Sequence, residues 1–451
     1  MRRAQTTTRR IVYVSRQMTG ESLRSAQAIK KLDDVQLFGI CEQLPGACRA
    51  ENFADLVCVN RTHDAHQLIA AARILQDRHG PLHQLLTAQE TLLEPVAEAG
   101  EALELQGMSV ATVRRTLNKS CLKQTLEQAG IRTARHQLVT HEEEARRFAK
   151  ELGFPVVLKP LSGSGGLATW CVRSDDQLEL ALRLMQPSSE KGVLAEQYVV
   201  GREISIDTIT IANEPRFFSV CYYRPSILEA LENPEIQWTC IMPRDISEAP
   251  YREFVEKGLE AVRALQVGSA MTHMEALLPE DGNPVFIDAT LRPAGARIGP
   301  MLAFSYDLDP HLAWARAVVD GCFDGPWERK YAVGTVFFRG RGNGRVEHVA
   351  GLETVQQHVG RLIVESHVPL VGSQKAATYT GDGYITVRHP QTQIVEDALR
   401  FIAATVCITY SESDKPQLSK ANLDEQWSHQ IRYFDEQLNK PAWEDDSLTT
   451  H

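Results

Sequence analysis

No apolar run in this 451-residue chain approaches the ~20 residues needed to span a bilayer, so no membrane partner is expected. The start, MRRAQTTTRR, is basic and polar and leads straight into IVYVS. It lacks the apolar stretch of a secretory signal and reads as a short disordered arm. Positive charge is also scarce. Lys and Arg number 48 against 58 Asp and Glu, a net charge of -10, which argues against a general nucleic-acid binder. There is no Cys-x-x-Cys pair, and the nine cysteines are widely spaced and odd in number. That pattern does not suit a disulfide or zinc framework. Cys41, Cys58, Cys171 and Cys407 sit inside apolar runs and read as buried thiols in a reducing cytoplasm, the expected location. No internal repeat or long low-complexity segment is present. What remains is ordinary globular composition, 43% hydrophobic and 24% charged, with length for roughly two to four units.

The chain opens with strands at residues 11–14, 35–41 and 56–59, and helical stretches at 23–32 and 68–75. This alternation suggests a small parallel sheet with covering helices. The SRQMTGES loop follows the first strand, and strand ends in such sheets line ligand crevices. Residues 92–105 read as a helix interrupted at Gly100. Asn118 caps the next helix, and Thr140-x-x-Glu143 matches a capping box. A strand ending at Lys159 leads into LSGSGGLATW and a second strand near Cys171. Such a flap can bring backbone N–H groups close to phosphates, although a Gly/Ser loop alone is more often a flexible turn. No Gly-Lys-Ser/Thr follows, so it is not a P-loop. Residues 193–200 read as a strand that turns at Gly201 and presents Glu203. Residues 222–243 read as a long loop and 254–265 as an amphipathic helix. From Tyr331, strands at 332–338, 362–366, 376–380 and 383–388 and a helix at 395–407 suggest a separate small α+β unit behind the core.

The organising stretch is THMEALLPEDGNPVFIDATLRPAGAR, from Thr272 to Arg297. It reads as two strands joined by a Pro/Gly/Asn turn. Residues two apart share a strand face. One face then carries His273 and Glu275 beside Asp288, Thr290 and Arg292. The other is Met274, Ala276 and Leu278 against Val285, Ile287, Ala289 and Leu291. Two hard carboxylates can hold magnesium against phosphate oxygens, and an arginine beside them can grip a carboxylate or phosphate. A hairpin with a merely solvated polar face is the plain alternative.

Taken together, Asn118-Lys119, Leu158-Lys159-Pro160 before SGSGG, Glu196-Gln-Tyr-Val with Glu203, His273-Met-Glu275 and Asp288-Ala-Thr-Leu-Arg292-Pro-Ala-Gly295 resemble the ATP-grasp superfamily. Within it the chain is similar to carboxylate–amine ligases, the L-amino-acid (dipeptide) ligases in particular. The resemblance spans roughly residues 11–410.

It implies α/β and α+β architecture in five parts. These are an N-terminal parallel α/β domain (1–112), a mobile lid (113–200), an antiparallel-sheet catalytic domain (201–328), a C-terminal α+β subdomain (329–412) and a polar, acidic tail (413–451). It implies ATP and Mg2+ as cofactors, small-molecule carboxylate and amine as substrates, and cytoplasmic action. A homodimer is the default assembly.

For ATP, it implies Lys119 and Lys159 on the α- and β-phosphates and Ser164, Gly165 and Gly166 closing over the γ-phosphate. Glu196, Gln197, Tyr198 and Val199 would form the adenine hinge and Glu203 would bond the ribose. For the metal, it implies Glu275, Asp288 and the Thr290 position. Arg292 would face the reacting carboxylate, and Ala294, Gly295, Ala296 and Arg297 would border the acceptor pocket. Many members have Glu at Asp288, Asn at Thr290 and Pro-Gly where Pro293-Ala294 stands. His273 is open to two readings, a proton acceptor for the amine or a buried structural residue. Other functions also stay open at this level: a bicarbonate-activating carboxylase, a non-catalytic nucleotide binder, or a phosphotransferase that stops at a phosphorylated product.

Overall fold

The computed structural model describes residues 8–411, apart from Pro45, Ser164, Leu167, Glu248, Asn343 and Ala377. The tail and most of the N-terminal arm lie outside the described residues. Arg9 and Arg10, read above as part of that arm, already belong to the first strand.

β1 (Arg9–Val14), β2 (Val35–Cys41), β3 (Asp55–Cys58) and β4 (Gln84–Leu86) form a parallel sheet in the order β3-β2-β1-β4. β1 alternates between two cores. Ile11 and Tyr13 face one, while Val12 and Val14 face the other with Leu68 and Leu75. Burial on both faces explains the unbroken apolar runs. β3 is an edge strand, so Cys58 is exposed, contrary to its reading as a buried thiol. The helix Leu93–Ala102 runs through Gly100 without interruption.

β5 (His136–Val139), β6 (Val156–Pro160), β7 (Trp170–Val172) and β8 (Val193–Gln197) form an antiparallel sheet ordered β5-β8-β6-β7. Its strands pack on the helices Glu142–Leu152 and Asp175–Met185 around Phe148, Trp170 and Leu182. The capping box here is His141 with Glu144, one residue later than the Thr140–Glu143 reading. The Thr140 and His141 N–H groups donate to Glu144 Oε2 at 2.7 and 3.2 Å. At Gly201 the chain passes so close to Leu278 that a Cβ would lie 2.8 Å from its carbonyl, a position only glycine tolerates.

The remaining strands are β9 (Arg202–Ile211), β10 (Glu214–Arg224), β11 (Trp238–Met242), β12 (Ala270–Leu278), β13 (Val285–Thr290), β14 (Ala332–Phe338), β15 (Val346–Ala350), β16 (Ile363–His367), β17 (Gly383–His389) and β18 (Cys407–Tyr410). Eight of them form one antiparallel sheet in the order β13-β12-β9-β10-β11-β14-β17-β16, and β15 pairs with β18.

Three sequence expectations change here. The region 222–243 is not a long loop: it holds the end of β10, a short helix (Ile227–Glu232) and β11. The strands after Tyr331 are not a separate unit, because β11 pairs with β14 over five residue pairs and carries the sheet on to β17 and β16. Residues 376–380 form no strand among those described. Cys407 begins β18, an edge strand, and is exposed rather than buried. No helix among the described residues is long and apolar enough to cross a membrane.

Candidate functional site

β9, β12 and β13 place their polar residues in two rows. Asp207 lies opposite His273, which lies opposite Thr290. Ser205 lies opposite Glu275, which lies opposite Asp288. One extra residue, Ile287, interrupts the β12–β13 register between Asp288 and Phe286. A bulge of this kind re-aims the side chains beyond it. Phe286 turns into the core, 1% exposed and stacked on Phe254 at 6.0 Å. Ile287 turns with Asp288 toward a cavity of about 490 Å³. The strict alternation read from sequence put Ile287 on the core face, and the bulge reverses it.

This cavity lies between the two antiparallel sheets. Its lining includes Lys119, Lys159, Glu203, Glu275, Asp288 and the chain from Glu196 through Val199. Gln197, Tyr198 and Gly166 are also on this lining. Gly165 and Gly166 both sit at φ 68° in the β6–β7 hairpin loop, a conformation that favours glycine. The expectation for Ser164 lies outside the described residues.

Lys119 opens the helix Lys119–Gln128, whose N-cap Asn118 accepts from the Ser120 and Cys121 N–H groups. Its Nζ donates to Asp288 Oδ2 at 2.6 Å and to the Gly163 carbonyl at 3.0 Å. Burial works against the Lys119 ammonium, but Asp288 outweighs it and holds the pKa above its usual value. Lys159, at the end of β6, meets Glu196 Oε2 at 2.9 Å.

A residue the sequence reading missed completes this group. Lys123, 0% exposed, meets Glu196 Oε1 at 3.0 Å and donates to the Phe286 carbonyl at 3.3 Å. Burial alone would raise the Glu196 carboxyl, yet the Lys123 and Lys159 ammoniums hold it down at about 2. Lys123 lies one turn after Lys119 on the same helix face, a spacing that could have marked it. Glu196 thus has an ion-pairing task besides any hinge role.

Glu203 accepts the Ile227 N–H at 2.6 Å, and burial, then the Glu275 charge, push its carboxyl up to about 8. A raised folded-state pKa contributes stability that is fully present below the ordinary value of 4.5 and is lost as pH rises through about 8. The melting temperature of the native chain should therefore fall relative to Glu203→Gln between pH 5 and 8, the two curves running parallel above that. Thermal melts of both proteins across this range check it. Parallel curves throughout would contradict the shift.

His273 donates from Nδ1 to Asp207 Oδ1 at 3.0 Å and from Nε2 to Glu275 Oε1 at 3.2 Å. Burial disfavours its charge, but the two carboxylates prevail and raise its pKa to about 10. An imidazolium with both nitrogens donating has no lone pair for an incoming proton. Both ring nitrogens are thus engaged by carboxylates, an arrangement that suits the structural reading of His273.

Thr290 lies beyond the cavity, opposite His273, and its Oγ1 is buried without a hydrogen-bond partner. Among the described residues no three His, Cys, Asp or Glu side chains converge closely enough to hold a metal. Glu275 and Asp288 nevertheless face each other as paired oxygen donors on the cavity wall, which suits a hard cation that takes its other ligands from a nucleotide.

Arg292 is not among the cavity-lining residues. Its Nη2 donates to Glu90 Oε2 at 2.8 Å and its Nη1 to the Pro293 carbonyl at 2.8 Å. Glu90, from the turn Glu90–Leu92 of the first unit, was not singled out in the sequence. Ala294 and Ala296 are partly buried and pack on the apolar core. A Cβ built on Gly295 would meet nothing within 4 Å, so packing does not demand a small residue there.

The arrangement is a cleft between two antiparallel sheets whose lining includes Gly163 and Gly166 of the β6–β7 loop together with ammonium groups and carboxylates. Residues 124–267 match the ATP-grasp domain family, so the chain carries an ATP-grasp domain within an ATP-grasp fold. Its structure is similar to that of an L-amino acid ligase from Bacillus licheniformis, with a TM-score of 0.72 at 20% identity over 90% of this chain and 100% of that one. N5-carboxyaminoimidazole ribonucleotide synthetase from Thermotoga maritima matches with a TM-score of 0.64 at 15% identity, over 89% and 100%. The biotin carboxylase domain of Hydrogenobacter thermophilus 2-oxoglutarate carboxylase, solved with MgADP and bicarbonate, matches with a TM-score of 0.64 at 18% identity, over 96% and 98%.

Proposed function

We propose that the chain is an ATP-dependent carboxylate–amine ligase that joins an amino acid or small carboxylic acid to an amino acid or peptide amine. The observation that carries this reading is the cavity wall itself, where Glu275 and Asp288 face each other beside Lys119, with Lys159 on the same cavity and Arg292 a few residues beyond. A carboxylate is a poor electrophile because it has no good leaving group. Transfer of the γ-phosphoryl group of ATP to it forms an acyl phosphate and ADP. Attack by a neutral amine then forms the amide, expels phosphate and releases a proton. Glu275 and Asp288 would hold a magnesium ion, which would supply charge neutralisation at the phosphate oxygens. Lys119 and Lys159 add fixed positive charge along the same phosphates. Arg292 orients the donor carboxylate, and its guanidinium offers N–H donors to the oxyanion of the tetrahedral intermediate, a donor type worth about 3–4 kcal/mol in the transition state.

The test is ADP release with ATP, magnesium and pairwise amino acids, followed by mass analysis. Amide product with stoichiometric ADP supports the reading. ADP release that needs bicarbonate but no amino acid overturns it in favour of a carboxylase. A phosphorylated product that persists with amines present overturns it in favour of a phosphotransferase.

A further inference from the structure

The turn before β17 is pinned at both ends. The Ala376 N–H donates to Asp382 Oδ1 at 2.6 Å, the Gly381 N–H to the Thr378 carbonyl at 3.1 Å and the Asp382 N–H to the Phe338 carbonyl at 3.0 Å. Gly381, at φ 60°, comes so close to the end of β14 that a Cβ would lie 2.1 Å from the Phe338 carbonyl oxygen, so only glycine lets the turn settle there. Tyr379 stands on this turn, half-buried. Its hydroxyl makes no hydrogen bond to any described residue. Burial first, then the charges of Glu275, Cys240 and Glu203, push its phenol above the ordinary value against the pull of Arg292. The group keeps its proton and is a donor.

Strand register shows what the ring rests on. Glu275 lies opposite Ser205, and Ser205 opposite Cys221. Tyr223, two residues on, lies opposite Cys240, and Trp238 is two residues from Cys240. Residues two apart share a face, so Trp238 belongs to the sheet face that carries Glu203 and Glu275. The Tyr379 ring meets the Trp238 ring edge-on at 4.9 Å. A Cβ built on Gly165 would lie 3.3 Å from Tyr379 Cε1, so the same ring also meets the glycine-rich loop. Both neighbours adjoin the nucleotide cavity. Gly166, next to Gly165, lines it, and so does Tyr223, whose ring lies 5.2 Å from that of Trp238. A proton donor with no protein acceptor is thus fixed where the loop meets the carboxylate-bearing face. An oxyanion brought to that junction would satisfy it.

We infer that the Tyr379 hydroxyl donates to the terminal phosphoryl group of the bound nucleoside triphosphate, which makes Tyr379 a further catalytic residue, supplied from outside the matched residues 124–267. This rests on the ATP reading, with the glycine-rich loop over the γ-phosphate, and not on which carboxylate or amine is joined. The pinned turn holds the donor ready, so its hydrogen bond to the phosphoryl oxygens costs little reorganisation when they move.

Calorimetry with magnesium compares ADP with the β,γ-imido analogue of ATP, in the native chain and in Tyr379→Phe. Phenylalanine keeps the ring contacts and removes only the hydroxyl. The analogue should bind the variant about tenfold or more weakly, the size expected for a hydrogen bond to a charged group, while ADP binds both proteins alike. Circular dichroism melts should coincide. Unaltered analogue affinity in the variant overturns the proposal and leaves Tyr379 a packing residue. Equal losses for ADP and the analogue overturn it too, because the contact then lies elsewhere on the nucleotide. A lowered melting temperature overturns it by showing that the hydroxyl serves the fold. Native chain that binds neither nucleotide overturns the ATP reading and this proposal together. Nucleotide binding without ADP release for any amino-acid pair speaks against the ligase reading alone, and the calorimetric comparison still decides the role of Tyr379.

Discussion

Glu275→Gln and Asp288→Asn should each lower turnover about a thousandfold or more, with magnesium near saturation and the fold intact. Each change removes one unit of charge from the pair that faces the cavity while conserving side-chain volume. The expected loss corresponds to the several kcal/mol by which a metal ion stabilises charge on phosphoryl oxygens. Folding should suffer little. In Glu275→Gln the new side chain still offers an amide oxygen to His273 Nε2, which lies 3.2 Å from Glu275 Oε1 in the native chain. In Asp288→Asn, Lys119 keeps the Gly163 carbonyl at 3.0 Å. ADP release measures the first effect and circular dichroism melts the second. Rates within tenfold of the native chain in either variant would remove the carboxylate pair from the chemistry.

The same pair shows what was legible in the sequence. Its facing residues followed from period-two alternation over 272–292, because an antiparallel hairpin with one buried face writes its register into the hydrophobic pattern. The bulge at Ile287 was not legible. A single inserted residue leaves the local composition apolar and declares itself only through the partner strand, where Ala276 pairs with Phe286. Lys159 and the glycine-rich loop stood out because a strand, a lysine and glycines follow one another directly. Lys123 and Glu90 did not, since each gains its meaning from a residue more than seventy or two hundred positions away, Glu196 and Arg292. Residues 222–243 were misread because the turn after Arg224 and a short helix separate two strands and mask both. The continuity of the large sheet was hidden for a related reason. β11 and β14 are nearly ninety residues apart, and only their backbone pairing joins them.

Glu196→Leu should be the most destabilising single change in the small antiparallel sheet, costing about 3–5 kcal/mol, the usual result of removing one member of a buried ion pair. Glu196 is 3% exposed and Lys123 0%. With the carboxylate gone, Lys123 keeps only the Phe286 carbonyl at 3.3 Å and Lys159 only the Ile287 carbonyl at 3.4 Å. Two ammonium groups then stand in a desolvated space without the carboxylate that pairs with both. Lys123→Met should cost less, because Glu196 keeps its partner Lys159 at 2.9 Å. The double variant Lys123→Met/Glu196→Leu should recover most of the lost stability, since replacing a buried pair by apolar groups of similar volume is often neutral. Melting temperatures of the three variants give the order directly. A Glu196→Leu protein that melts with the native chain would show that the carboxylate is not a buried charge. A double variant no more stable than Glu196→Leu alone would show that Lys123 is not the group left stranded. The triad links β6, β8 and the helix Lys119–Gln128 to the carbonyls of β13, so the same variants should also report on how the small sheet is held against β13. ATP affinity measured by calorimetry should fall in Glu196→Leu, where Lys159 has lost its anchor, and stay close to native in Lys123→Met, where that anchor remains.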